Sequence, residues 1–113
     1  MVKVMDIKTP QEFFDKVLPA KFDAVKAAGF EAVIQINLKG TNGGEWTVAV
    51  KDQKLDTKKG VHESPTITIE MTDSDYVDMV NGKLAPESAF MSGKLKFKGN
   101  IMVGLRLRDI GIT

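Results

Sequence analysis

The 113-residue chain carries 16 basic and 15 acidic residues, one histidine and no cysteine. That inventory excludes a disulfide framework, a thiolate metal site and a thiol nucleophile, and it gives no strongly basic field for nucleic acid. The length suits a single domain over 1–113, one that buries roughly two-thirds of the surface its unfolded chain exposes. The N-terminal stretch MVKVMDIKTP lacks the apolar core of a leader, and no segment approaches the ~20 apolar residues of a membrane span. A soluble, cytoplasmic protein is expected.

Thr9-Pro10-Gln11-Glu12 opens a helix: Thr9 can cap, Pro10 suits the first helical position, and Glu12 completes a capping box. Phe14, Leu18, Phe22 and Val25 recur at helical spacing, with Lys16, Lys21, Asp23 and Lys26 off that face. Pro19 predicts a break or kink near Leu18, and Gly29 a left-handed cap that ends the helix. From Glu31 the period switches to two. Ile34, Ile36 and Leu38 alternate with polar neighbours. Trp46, Val48 and Val50 alternate with Thr47, Ala49 and Lys51 after the Gly40–Gly44 turn, which predicts a hairpin with one apolar face. Asp52-Gln53 turns the chain into a third strand, Lys54 to Lys59, whose charge suits a sheet edge.

Thr66 to Met71 reads as a fourth strand, and Thr72-Asp73-Ser74-Asp75 as a capped helix start continuing through Tyr76, Val77, Met79 and Val80. Pro86 opens a short helix to Met91, Lys94 to Lys98 forms a fifth strand with Leu95 and Phe97 inward, and Asn100 caps a last helix followed by Gly111. Helices on one face of a mostly antiparallel sheet make an α+β fold.

Signals for catalysis are sparse. His62 stands alone in a loop, and none of Ser64, Ser74, Ser88 or Ser92 lies in a Gly-x-Ser-x-Gly elbow. The glycine-rich turn lacks the lysine-serine ending of a phosphate loop and joins two strands. Asp73 and Asp75 are better explained by helix capping than as paired catalytic carboxylates. No enzyme activity, no metal and no cofactor are expected. Lys94, Lys96 and Lys98 share one side of a strand, which protects an edge and also suits an anionic lipid surface or the phosphates of an acyl-coenzyme A.

The last segment has more apolar surface than one core-facing stripe needs: Ile101, Met102, Val103, Leu105, Leu107 and Ile110. A small domain should not expose such a surplus without a partner, a membrane or a ligand to cover it. The surplus is read as the lining of a lipid-holding cavity.

Three ordered segments carry a family resemblance: Thr66 to Tyr76 (TITIEMTDSDY), Asn81 to Glu87 (NGKLAPE) and Ser88 to Asn100 (SAFMSGKLKFKGN). Together they resemble the type 2 sterol carrier protein domain, with weaker similarity over nearly the whole chain. The resemblance implies a five-stranded sheet with helices on one face, enclosing a hydrophobic tunnel. It also implies non-catalytic binding and transfer of fatty acids, fatty acyl-coenzyme A or sterol-like lipids. Met91 stands where an aromatic is common, which bears on tunnel shape and sterol preference. The chain ends Gly111-Ile112-Thr113 without a serine-lysine-leucine-type peroxisomal signal.

On this reading the tunnel wall comprises Phe14, Val17, Leu18 and Phe22, then Tyr76, Met79, Val80, Phe90 and Met91, then Ile101, Met102, Leu105 and Ile110. Ile36, Val48 and Ile69 form its floor, and Lys94 and Asn100 meet the headgroup. The expected partner is a small hydrophobic lipid, with a transient membrane contact and a homodimer as further candidates and no nucleic acid. The rival reading is an accessory or dimerising protein that uses the apolar C-terminal helix as an interface, for example a quinone-biosynthesis assembly factor.

Overall fold

Residues 7–107 are described by the computed structural model, apart from the side chains of Ile101 and Leu105. Period-two patterning folds into five strands: β1 Ala32–Lys39, β2 Gly44–Lys51, β3 Lys54–Lys59, β4 Ile67–Thr72 and β5 Lys96–Gly99. They lie side by side in the order β3-β2-β1-β4-β5. Three of the four pairings are antiparallel and β1 with β4 is parallel, so the sheet is mixed but mostly antiparallel. The fold is α+β, as expected.

Register places one apolar row across four of the five strands: Trp46, Ile36, Ile69 and Phe97 are successive cross-strand neighbours, with Val48, Ile34 and Ile67 in the next row. Because side chains alternate along a strand, these rows share one face, and all but the half-buried Phe97 are buried against the helices.

The opposite face is polar, and here the structure adds something the alternation did not show. After the β1–β2–β3 meander the chain must return to the free side of β1, and its crossing loop runs over the outer face. Gln35, pointing that way from β1, is buried and makes all four hydrogen bonds open to a side-chain amide. Its Nε2 donates to Gly60 O (3.1 Å) and Asn37 Oδ1 (2.9 Å), and its Oε1 accepts from His62 N–H (2.8 Å) and Thr47 Oγ1 (3.1 Å). Gln35 therefore pins the return loop to β1, and Thr66 at the loop's end adds a second tie, donating its N–H to Val33 O (2.8 Å) and accepting at its hydroxyl from Val33 N–H (3.0 Å).

The first helical region is shorter than its apolar spacing suggests. It comprises α1 Pro10–Glu12, a π-helical stretch Phe13–Val17 and α2 Leu18–Lys21. Thr9 accepts from Glu12 N–H (3.2 Å) as expected, while the Glu12 carboxylate accepts from Lys8 N–H (2.9 Å), one residue before the cap. Pro19 supplies no N–H and crowds the carbonyl four residues back, and widening of the preceding turn accommodates both effects. The helix then stops: Phe22 is extended (ψ 126°), and Asp23 starts a separate turn by accepting from Lys26 N–H (3.1 Å). Val25 is 80% exposed as a result, so its expected place on the helix's apolar face is corrected. Gly29 does take a left-handed conformation, φ +75°, but in a turn well beyond the helix end.

The remaining helices lie where the caps put them: α3 Asp73–Val80, α4 Pro86–Met91 and α5 Ile101–Arg106. Thr72 Oγ1 accepts from Asp75 N–H (3.2 Å) and Asn100 Oδ1 from Met102 N–H (3.0 Å). Asp73 also accepts from Asn42 N–H (2.9 Å), tying the β1–β2 turn to the start of α3. β5 begins two residues later than its lysine spacing implied, because the N–H groups of Lys94 and Leu95 both donate to Ala89 O and close the end of α4.

Candidate functional site

Between the sheet and the first helical region the interior is filled by rings. Phe14 stacks on Trp46 (5.0 Å between centroids) and on Tyr76 (5.7 Å), and Phe13 meets both Phe14 (5.4 Å) and Tyr76 (5.8 Å) edge-on. Each such pair contributes about 0.5–1.5 kcal/mol beyond its area, so this cluster is a structural plug. Tyr76 is fully buried in it, and burial alone pushes its phenol far above the ordinary tyrosine range.

The plug sorts the residues expected to line a tunnel. Phe14, Leu18, Ile36, Val48, Ile69, Tyr76 and Met79 are buried in one continuous core, and Val17, Phe22 and Val80 are partly buried against it. Phe90, Met91 and Met102 instead lie at the surface, 49%, 84% and 69% exposed. The side chains of Ile101 and Leu105, and Ile110 as a whole, fall outside the described residues. Of the two headgroup residues, Lys94 is exposed, while the Asn100 carbonyl already serves as the cap of α5.

Open space occurs beside the plug. A groove of about 610 Å³ runs between the first helical region and the β3 edge. Phe14, Pro19, Phe22, Ala24 and Leu55 give it an apolar wall, and Asp15, Gln53, Lys54 and Thr57 add its polar groups. Its volume falls within the roughly 300–1,000 Å³ of small-molecule sites. The extended backbone at Phe22 leads the chain out of the helix beside this groove, while Leu55 reaches it from β3. Gln53 donates to Ala24 O (3.0 Å), joining two of its lining residues. Leu55 was missed in the sequence because it is the lone apolar residue of a charged strand, Lys54-Leu55-Asp56-Thr57-Lys58-Lys59. Its single signal was the period-two register with Val50, visible only once β3 is paired.

The groups considered for catalysis are dispersed. His62 is exposed and its Nδ1 accepts from Ser64 N–H (3.0 Å), while Ser92 Oγ donates to Ser88 O (2.8 Å) at the end of α4. Among the described residues no three of His, Cys, Asp and Glu come together as a metal site would require. Also among them, no helix is long and apolar enough to cross a membrane.

A sequence profile of one protein family matches residues 14–110 of this chain. The chain belongs to the SCP-2 sterol transfer family. Hydroxysteroid dehydrogenase-like protein 2 from Bos taurus is 38% identical over 89 residues, which is 78% of this chain and 21% of that protein. The chain thus spans about a fifth of the length of this relative. The solution structure of palmitated SCP2L2 from Aedes aegypti has a TM-score of 0.67 at 26% identity, covering 88% of this chain and 91% of that one. The sec-alkylsulfatase Pisa1 from Pseudomonas sp. contains the same fold, with a TM-score of 0.80 at 19% identity over 94% of this chain and 17% of that enzyme. Membership of this family supports lipid binding or transfer in general terms.

Proposed function

We propose that this domain is a non-catalytic carrier that holds a single-chain lipid, a fatty acid or its acyl derivative, along the groove between Phe22 and Leu55. One observation carries the reading: a family member of this kind has an apolar-walled groove of about 610 Å³ beside a plugged interior. The palmitated state of the Aedes aegypti relative supports an acyl chain as cargo. Lys54 and Gln53 at the rim offer a cation and an amide to a polar headgroup, in place of the Lys94 and Asn100 contacts expected from the sequence.

Burial of a methylene contributes about 0.8 kcal/mol. Ten of them give roughly 8 kcal/mol, against an association cost of at least about 4. An open groove covers less of the chain than a closed tunnel does, so affinity is moderate and release is built in. The dispersed serines and the solitary His62 support a role without chemistry of its own. The test is displacement of a fluorescent fatty acid, paired with mass spectrometry of lipid that co-purifies. Leu55→Asp should weaken binding at least tenfold with the fold intact. Unchanged affinity in that variant, with loss in Met102→Asp, would move the cargo to α5 and end the groove assignment.

A further inference from the structure

The β5 edge carries a second surface that the groove does not use. Phe90, Met91 and Met102 leave about half or more of their side chains in solvent on α4 and α5, two helices of six residues each. The Phe90 ring lies 5.5 Å from that of Phe97, so the apolar surface continues from α4 onto the inner side of β5. The outer side of the same strand carries Lys96 and Lys98, with Lys94 just before it, all exposed. Lys98 pairs with Glu70 at 3.4 Å on the neighbouring strand. Across residues 86–107 the charges are Lys94, Lys96, Lys98 and Arg106 against Glu87, whereas the whole chain is balanced to within +1.

We propose that this edge docks the domain onto the surface of a bilayer that contains anionic phospholipid. Exposed Met and Phe side chains suit the shallow apolar layer beneath the headgroups, and helices this short can lie in that layer but cannot cross it. Lysines beside them keep their ammonium groups at headgroup level while their stems follow the apolar surface. Charge selects this occupant over a second copy of the chain. A two-fold interface would set the lysine row against itself, and lysines on an edge strand oppose pairing with another strand. An anionic lipid surface complements the same row. The groove lies at the other edge of the sheet, about 19 Å away by four interstrand spacings, so a docked domain keeps it accessible. The proposal does not depend on where the cargo lies.

The experiment is co-sedimentation of the full chain with vesicles of phosphatidylcholine alone and of phosphatidylcholine with phosphatidylglycerol, at low and at high salt. Binding should require phosphatidylglycerol and fall as salt rises. Lys94→Gln and Lys96→Gln should each weaken it about fivefold, while Lys58→Gln on β3 leaves it unchanged. Met91→Asp should remove it; circular dichroism confirms that this exposed substitution leaves the fold in place, and the two lysine variants test the surface independently. Equal binding to both vesicle types, or no response to Met91→Asp and the lysine variants, overturns the proposal. So does a concentration-dependent dimer in ultracentrifugation that Met91→Asp dissolves while no vesicle binds.

Discussion

The two edges of the sheet use apolar residues in opposite ways. At β3 a helical region covers the strands, its aromatic side chains are driven inward against Trp46 and Tyr76, and what remains open is a groove at the surface. At β5 the covering helices are six residues long each, and Phe90, Met91 and Met102 on them face solvent. The difference teaches that apolar excess in a small domain has two outlets. Where the covering element is long enough to present a full stripe, excess packs and leaves a recess. Where it is too short, excess remains exposed and needs something outside the chain to cover it.

The contrast can be broken from the inside. Phe14→Ala removes the ring shared by the stack and the groove wall, and should lower stability by about 3–5 kcal/mol in urea denaturation. A loss under about 1 kcal/mol would mean that the β3 side is not a packed plug. Gln35→Leu tests whether the outer face holds the topology: it leaves the His62 N–H without its acceptor, while Gly60 O keeps the Thr47 hydroxyl, and should cost about 1–3 kcal/mol. The smallest effect belongs to the β5 edge, where Met91→Gln should change stability by less than about 0.5 kcal/mol. A larger loss would show that this side chain packs and that the two edges are alike.

Much of the scaffold was legible. Thr9, Thr72 and Asn100 each cap where their side chains and the residues that follow said they would. Ile34, Ile36, Trp46, Val48, Ile67 and Ile69 all fall on the buried face that alternation assigned. The end of the first helix was not legible, because Val25 continues the apolar spacing while Asp23 offers the backbone a competing local turn. The groove proposed for the cargo was legible only in part. Phe14 and Phe22 came from periodicity, whereas Leu55 and Pro19 become groove residues only when β3 is laid beside the helix.

From its sequence alone this chain determined strand and helix identity, the caps and the apolar face of the sheet, since these depend on neighbours within a few residues. Tertiary structure decided which apolar residues plug the interior, which wall a groove and which face solvent. That choice depends on the order β3-β2-β1-β4-β5 and on how far each helix reaches across it. Such separations are long in sequence and short only in space, so no local pattern encodes them.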